Sequence, residues 1–141
     1  MDREKRQFFR VDTEIPGTVR LPKGDILPTT IVNLSVGGLK FSCGRDTVHK
    51  ILPKDQQTPG QITGVMIEIQ FDLQPLEQPQ LSLITRARVI HSERLAQDVF
   101  HIGIEFIHID ESDVMALKGY IEATLSQQQT SVHHPTGAGQ W

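Results

Sequence analysis

A chain of 141 residues has the length of one domain rather than two, and at that size it buries roughly 70% of its unfolded surface, enough for a core without staples. A net charge of −3 excludes the strongly basic balance of a protein that holds DNA or RNA through many phosphates, and a single cysteine, Cys43, excludes an intrachain disulfide and a cysteine metal cluster. No segment is long enough to insert across a membrane, and the charged start Met1-Asp2-Arg3-Glu4-Lys5-Arg6 leads into no apolar run of a secretory signal, so the expectation is a soluble, cytoplasmic domain in a reducing compartment.

The overall balance hides an asymmetry. Residues 1–10 carry Arg3, Lys5, Arg6 and Arg10 against Asp2 and Glu4, a net of +2 that leaves −5 for the rest. Residues 1–12 read as a flexible basic arm with Phe8, Phe9 and Val11 as its apolar anchors. Such a short cationic stretch suits a small anionic ligand better than a long polyanion; a solvated charged terminus is the alternative. Beyond it, Ile15, Val19 and Leu21 fall at even spacing, a strand that tolerates Pro16 at its entry, and Lys23-Gly24-Asp25 turns the chain. Residues 28–34 predict a second strand and Leu39, Phe41 and Cys43 a third, with Gly37-Gly38 as the reversal between them. Residues 44–60 hold two prolines among mixed polar residues and read as a loop, with at most a helical turn over 47–52.

Val65, Ile67, Ile69 and Phe71 then alternate with Met66, Glu68 and Gln70, the clearest two-residue period in the chain and the mark of a strand with one buried face. Pro75 and Pro79 bracket a turn before Leu81, Leu83, Thr85, Ala87 and Val89, whose intervening Arg86 and Arg88 face outward. Phe100, Ile102, Ile104 and Phe106 supply a sixth strand. Six strands in succession predict an all-β fold, an antiparallel barrel or sandwich. From Asp110 the period becomes helical, with Val114, Leu117, Ile121 and Leu125 on one face and Asp110 and Asp113 at the N-terminal cap and first turn. The β-domain with its C-terminal helix spans 13–126, and 127–141, free of Asp, Glu, Lys and Arg, reads as a disordered tail.

A search for catalytic chemistry comes out nearly empty. Cys43 falls at an inward position of its strand and reads as packing rather than nucleophile. His49, His91, His101 and His108 lack ligand spacing, so no metal site is expected, and Asp110, Glu111 and Asp113 are explained by the helix start. Gly37-Gly38 joins two strands, not a strand to a phosphate-binding helix. These residues leave an enzyme unsupported without excluding it, and the expectation is that the chain is not one.

Two local patterns remain. In Arg6-Gln7-Phe8-Phe9-Arg10, two guanidinium groups four residues apart offer forked donors suited to phosphate oxygens or the O6/N7 edge of guanine; alternatively both are solvated while the phenylalanines pin the arm. In Asn33-Leu34-Ser35-Val36-Gly37-Gly38, an extended backbone points Asn33 and Ser35 to one side, where amide and hydroxyl can meet one polar ligand while Leu34 packs inward; alternatively the side chains cap their own turn.

Together these patterns resemble the PilZ domain, the bacterial receptor module for cyclic di-GMP. That family carries Arg-x-x-x-Arg near the N-terminus, matched by Arg6 and Arg10, then Asp or Asn-x-Ser-x-x-Gly, matched by Asn33, Ser35 and Gly38. Gly103-Ile104-Glu105-Phe106 and the helix after it are similar to the family's final strand and helix, so the likeness covers about residues 3–126. The resemblance implies a six-stranded antiparallel β-barrel with a C-terminal helix. It implies that Arg6 and Arg10 hold phosphate and the guanine Hoogsteen edge, that Asn33 and Ser35 contact guanine, and that Gly38 lets the chain turn beneath the ligand. Lys5 stands where a further arginine is common, keeping the charge without the planar fork. The function implied is a cyclic di-GMP receptor or adaptor that orders its N-terminal arm on ligand binding and signals to an unidentified effector protein. A ligand-independent PilZ-like interaction module is the alternative.

Overall fold

The computed structural model describes residues 10–52, 65–74 and 80–133, residues 128–133 by backbone alone. The elements in chain order are β1 (Val11–Arg20), β2 (Ile26–Leu34), β3 (Gly38–Cys43), α1 (Arg45–Ile51), β4 (Met66–Leu73), β5 (Leu81–Ala96), β6 (Val99–Ile107) and α2 (Glu111–His133). The six strands close into a barrel in the order β1, β2, β3, β6, β5, β4, every neighbouring pair antiparallel. This is the expected six-stranded antiparallel barrel with a C-terminal helix.

The two-residue period explains the closure. On β4, Ile67, Ile69, Phe71 and Leu73 are buried, while Gln70 and Asp72 are exposed and Glu68 is half-exposed. On β5, Leu83, Thr85, Ala87 and Val89 point inward and Arg86 and Arg88 outward. Phe41, Ile31, Leu34, Leu39, Ile69, Leu83 and Ile102 fill the interior with no exposed surface to speak of. A barrel of so few strands is a packed core, not a container. Cys43 belongs to that core, and burial, with a smaller contribution from Asp98, pushes its thiol up to about 11, so it stays protonated at neutral pH.

Four boundaries differ from the sequence expectation. The first strand starts inside the predicted arm: Val11 is buried opposite Leu34 and Asp12 pairs with Asn33. An irregularity follows between Asp12 and Ile15, where the Thr13 hydroxyl donates to the Ile31 carbonyl at 2.7 Å. The fifth strand runs beyond Val89 to Ala96 because its continuation pairs with β6, from His91 opposite Gly103 to Ala96 opposite Val99.

Part of the predicted loop over 44–60 is a helix, α1, which buries Val48 and Ile51. Its start is capped from 53 residues downstream, the Arg45 N–H donating to Asp98 Oδ1 at 2.7 Å, so local sequence carries no cap signal. Finally, α2 continues through residues 127–133, assigned above to the tail. No glycine or proline falls between Gly119 and Pro135, and glutamine is a good helix former. α2 buries Leu117 and Ile121 against the domain and touches β1, with the Val114 N–H bonded to the Asp110 carbonyl at 2.9 Å. Among the described residues no helix is long and apolar enough to cross a membrane.

Thr29 Oγ1 is buried without a hydrogen-bond partner among the described residues. An unsatisfied buried hydroxyl costs about 1–3 kcal/mol. Thr29→Val, which replaces it with a methyl of similar volume, should therefore raise stability by about 1 kcal/mol, read as a higher urea midpoint with an unchanged slope. A lower midpoint would mean that the hydroxyl has a partner in solution.

Candidate ligand-binding face

Asn33 stands near the end of β2, directly opposite Asp12 on β1 and Lys40 on β3, so its amide is held at the outer surface between two strands. Arg10 precedes β1 by one residue and is exposed. Its Nη1 donates to Asn33 Oδ1 at 3.0 Å, and Asn33 Nδ2 donates to Asp12 Oδ1 at 3.4 Å. One residue from each sequence pattern thus meets the other on one outer face. An exposed bond of this kind contributes little to stability, so its consequence is orientation: the guanidinium is held beside an amide whose other donor remains available. Arg6 and Lys5 lie outside the described residues.

Ser35 is placed differently. β2 ends at Leu34, and the strand alternation that would bring positions 33 and 35 to one side ends with it. Ser35 is 1% exposed. Its hydroxyl donates to the Gly38 carbonyl at 3.1 Å and accepts from the Gly38 N–H at 3.2 Å, while its own N–H donates to the same carbonyl at 2.9 Å. Of the two readings open in the sequence, Ser35 here has the turn-capping geometry, whereas Asn33 lies on the face. Gly38 presses on β6: an added Cβ would collide with the Ile104 carbonyl oxygen and lie 3.0 Å from Glu105 Cα. The turn is tied down further by the Phe106 N–H, which donates to the Gly37 carbonyl at 2.9 Å.

The face extends past the two patterns. Lys40 pairs with Asn33 on one side and with Gly103 on the other, and Gly103 pairs with His91. Asp12, Asn33, Lys40, Gly103 and His91 therefore form one row across β1, β2, β3, β6 and β5. The His91 ring lies over Gly103, where any side chain would collide with it. Burial lowers the His91 pKa from its ordinary value, Lys40 and more weakly Arg10 lower it further, and Glu93 opposes them. Lys40 was legible as an outward residue between Leu39 and Phe41. His91 was not, because a β5 irregularity between Val89 and His91 breaks the period that would have assigned its side.

Next to the row, Arg88 Nε and Nη2 donate to Glu105 Oε2 at 3.1 and 2.9 Å, which neutralises both charges locally. A separate cavity of about 320 Å³ lies at the far end of β1, lined by Arg20, Leu21, Met66, Glu68 and Arg86 among others, where Arg20 and Glu68 face each other at 3.6 Å. No group of three or more metal-ligating side chains occurs among the described residues.

A family model of the PilZ domain matches residues 4–123. Among solved structures, the chain is similar to the PilZ domain of YcgR from Escherichia coli, determined with c-di-GMP, at 13% identity and a TM-score of 0.63, covering 89% of this chain and 95% of that one. It is similar to the Bacillus subtilis inhibitor of motility MotI/DgrA at 17% identity and a TM-score of 0.63, covering 89% and 52%. It is also similar to the Borreliella burgdorferi PlzA protein in complex with c-di-GMP at 13% identity and a TM-score of 0.56, covering 89% and 54%. The chain thus spans about half the length of MotI/DgrA and PlzA and nearly all of the YcgR domain. No match was found among curated proteins.

The turn geometry gives Ser35 and Gly38 measurable structural roles. Ser35→Ala leaves the buried Gly38 N–H without its acceptor and should lower unfolding free energy by about 1–2 kcal/mol in urea denaturation. Gly38→Ala should cost more, because backbone on β6 must move; equal stability of both variants and the parent would contradict the turn as described.

Proposed function

Since this chain belongs to the PilZ domain family, we propose that it is a cytoplasmic cyclic di-GMP receptor that passes ligand occupancy to an effector protein. The hydrogen bond between Arg10 and Asn33 carries this reading, because it unites two patterns 23 residues apart on one outer face. Arg10 and Arg6 are the forked donors for phosphate and for the O6/N7 edge of guanine, and Lys5 adds a point charge. Asn33 offers amide donor and acceptor to a guanine once Arg10 turns from its Oδ1 to the ligand. Ser35 and Gly38 serve the site from beneath, by holding the turn that follows Asn33. Nothing in this scheme needs turnover of the ligand: the chain acts as a binding protein, not an enzyme.

The signal in this scheme is a change of surface. Ligand phosphates recruit the basic arm around Arg6, and the arm over the barrel presents a new face to the effector. Ordering one residue costs about 1–2 kcal/mol, which a micromolar ligand with about −8 kcal/mol can meet for only a few residues. The recruited stretch is therefore short.

Calorimetric titration with cyclic di-GMP, with GTP and the linear dinucleotide as controls, should give a dissociation constant near or below micromolar, or about −8 kcal/mol. Arg10→Ala should weaken binding by about tenfold to a hundredfold, the worth of charge-assisted bonds of about 1.5–3 kcal/mol. Unchanged affinity in Arg10→Ala and in Arg6→Ala would remove the assigned site, and no binding at all would leave a ligand-independent interaction module.

Arm recruitment has its own readout, because Arg3, Lys5, Arg6 and Arg10 are all trypsin sites. Saturating cyclic di-GMP should slow cleavage there several-fold while leaving the barrel uncut; equal rates with and without ligand would exclude the arm as the switch.

A further inference from the structure

Lys40 and His91 lie on the face that holds Arg10 and Asn33, yet neither belongs to either sequence pattern. Among the described residues no hydrogen bond or ion pair reaches either side chain, whereas nearby Arg88 is engaged by Glu105 and Arg20 faces Glu68. We propose that Lys40 and His91 extend the cyclic di-GMP site across the barrel, and that His91 takes up a proton as the ligand binds, so that affinity rises as pH falls. This inference rests on the cyclic di-GMP reading of the face.

Reach is the first argument. From Asn33 through Lys40 and Gly103 to His91 the row crosses three strand spacings, about 14 Å along the sheet. That is too long for one phosphate and suits a ligand with two phosphates and two bases. Gly103 has no side chain, so the surface between Lys40 and His91 is low, and the imidazole rests on the backbone there.

Charge is the second argument. Around His91 stand Lys40 from β3 and Arg10 ahead of β1, both opposing its protonation, and Glu93 on its own strand, favouring it. Glu93 is paired in register with His101 of β6, Glu105 of β6 is held by Arg88, and Asp12 faces Asn33. In the free protein partial desolvation of this otherwise exposed side chain, together with the two cations, keeps His91 neutral to a lower pH than usual. A phosphate within about 4–6 Å reverses this, favouring the imidazolium by tenfold or more. Protonation is then stronger in the complex than in the free protein, so binding consumes a proton. Affinity must climb with acidification, by at most tenfold per pH unit, and level off at high pH where both forms are neutral. Between pH 6 and 8 the ligand's phosphodiesters stay ionised and its guanines neutral, so the ligand contributes no such slope.

The test is calorimetry of the full chain with cyclic di-GMP at pH 8, 7 and 6, in buffers of different ionisation enthalpy so that proton uptake is counted directly. The wild type should bind about three- to tenfold tighter at pH 6 than at pH 8 and take up a fraction of a proton approaching one. His91→Gln should abolish uptake and flatten the profile, so that its affinity at pH 6 no longer exceeds its own affinity at pH 8. Lys40→Gln should weaken binding about threefold to tenfold at every pH, and His101→Gln should leave the slope in place.

Wild-type binding that is tight and Arg10-dependent but flat in pH, without proton uptake, would overturn the role of His91 and leave the receptor reading standing. Loss of the slope in His101→Gln but not in His91→Gln would overturn it likewise. Absence of wild-type binding at every pH would overturn both. Proton uptake by the wild type needs no variant, so the inference stays testable even if His91→Gln disturbs the seat on Gly103.

Discussion

The ladder between β3 and β6 is the constraint from which the rest of this molecule follows. It opens at Gly38, where the two backbones come so close that a Cβ has no room against the Ile104 carbonyl, and it runs six pairs to Cys43 opposite Phe100. Without it the six strands would remain one open sheet, joined through β1 and β4 and with β3 and β6 as its edges, and no barrel would close. The same ladder sets the candidate site. Once Leu39 and Phe41 are fixed inward, Lys40 must point out, and pairing Lys40 with Gly103 brings β6 and then His91 into line with Asn33. The turn that starts the ladder is locked by Ser35, whose hydroxyl satisfies both the N–H and the carbonyl of Gly38. Closure of the fold and construction of the face are one event.

Charge on this face is local. The chain is acidic overall, yet Arg10, Lys40 and His91 gather where the neighbouring pair Arg88 and Glu105 cancels itself. Screening confines the rest of the negative charge to about 8 Å at physiological salt, so an anion approaching the row meets Arg10 and Lys40 rather than the net charge of −3. Composition therefore argues against a polyanion partner while leaving a small anion open.

How much of this was legible depends on whether the determining contact was local. The alternation of residues 65–71 declared β4 and its buried face, because a half-buried strand writes its pattern into consecutive residues. The six strands, the inward Cys43 and the start of α2 at Asp110 were legible for the same reason. α1 was legible only as a helical turn over 47–52, since its cap comes from Asp98 and its apolar contribution is two residues in a polar stretch. Ser35 was ambiguous: its side of the chain depends on β2 ending one residue earlier, at Leu34. Asn33 and Arg10 could be paired only through a resemblance, and their hydrogen bond exists because Asp12 and Asn33 face each other across a ladder. His91 was weighed only as a metal ligand and not as part of a face, because an irregularity in β5 and a glycine on another strand decide where its ring lies.

A filled barrel leaves such a protein one place to work. Ile31, Leu34, Phe41, Ile69 and Ile102 occupy the interior completely, so no ligand of nucleotide size can enter it. Recognition has to happen on the outer surface, where strand spacing dictates the distance between functional groups and only alternate residues are eligible. Such a surface excludes little water, and exposed hydrogen bonds to it are individually weak. In the function proposed above, affinity comes from several cations acting together and from a segment that covers the ligand, the role assigned there to the basic residues preceding β1. Under that proposal the covered surface is what changes for other proteins, and no rearrangement of the packed core is called for.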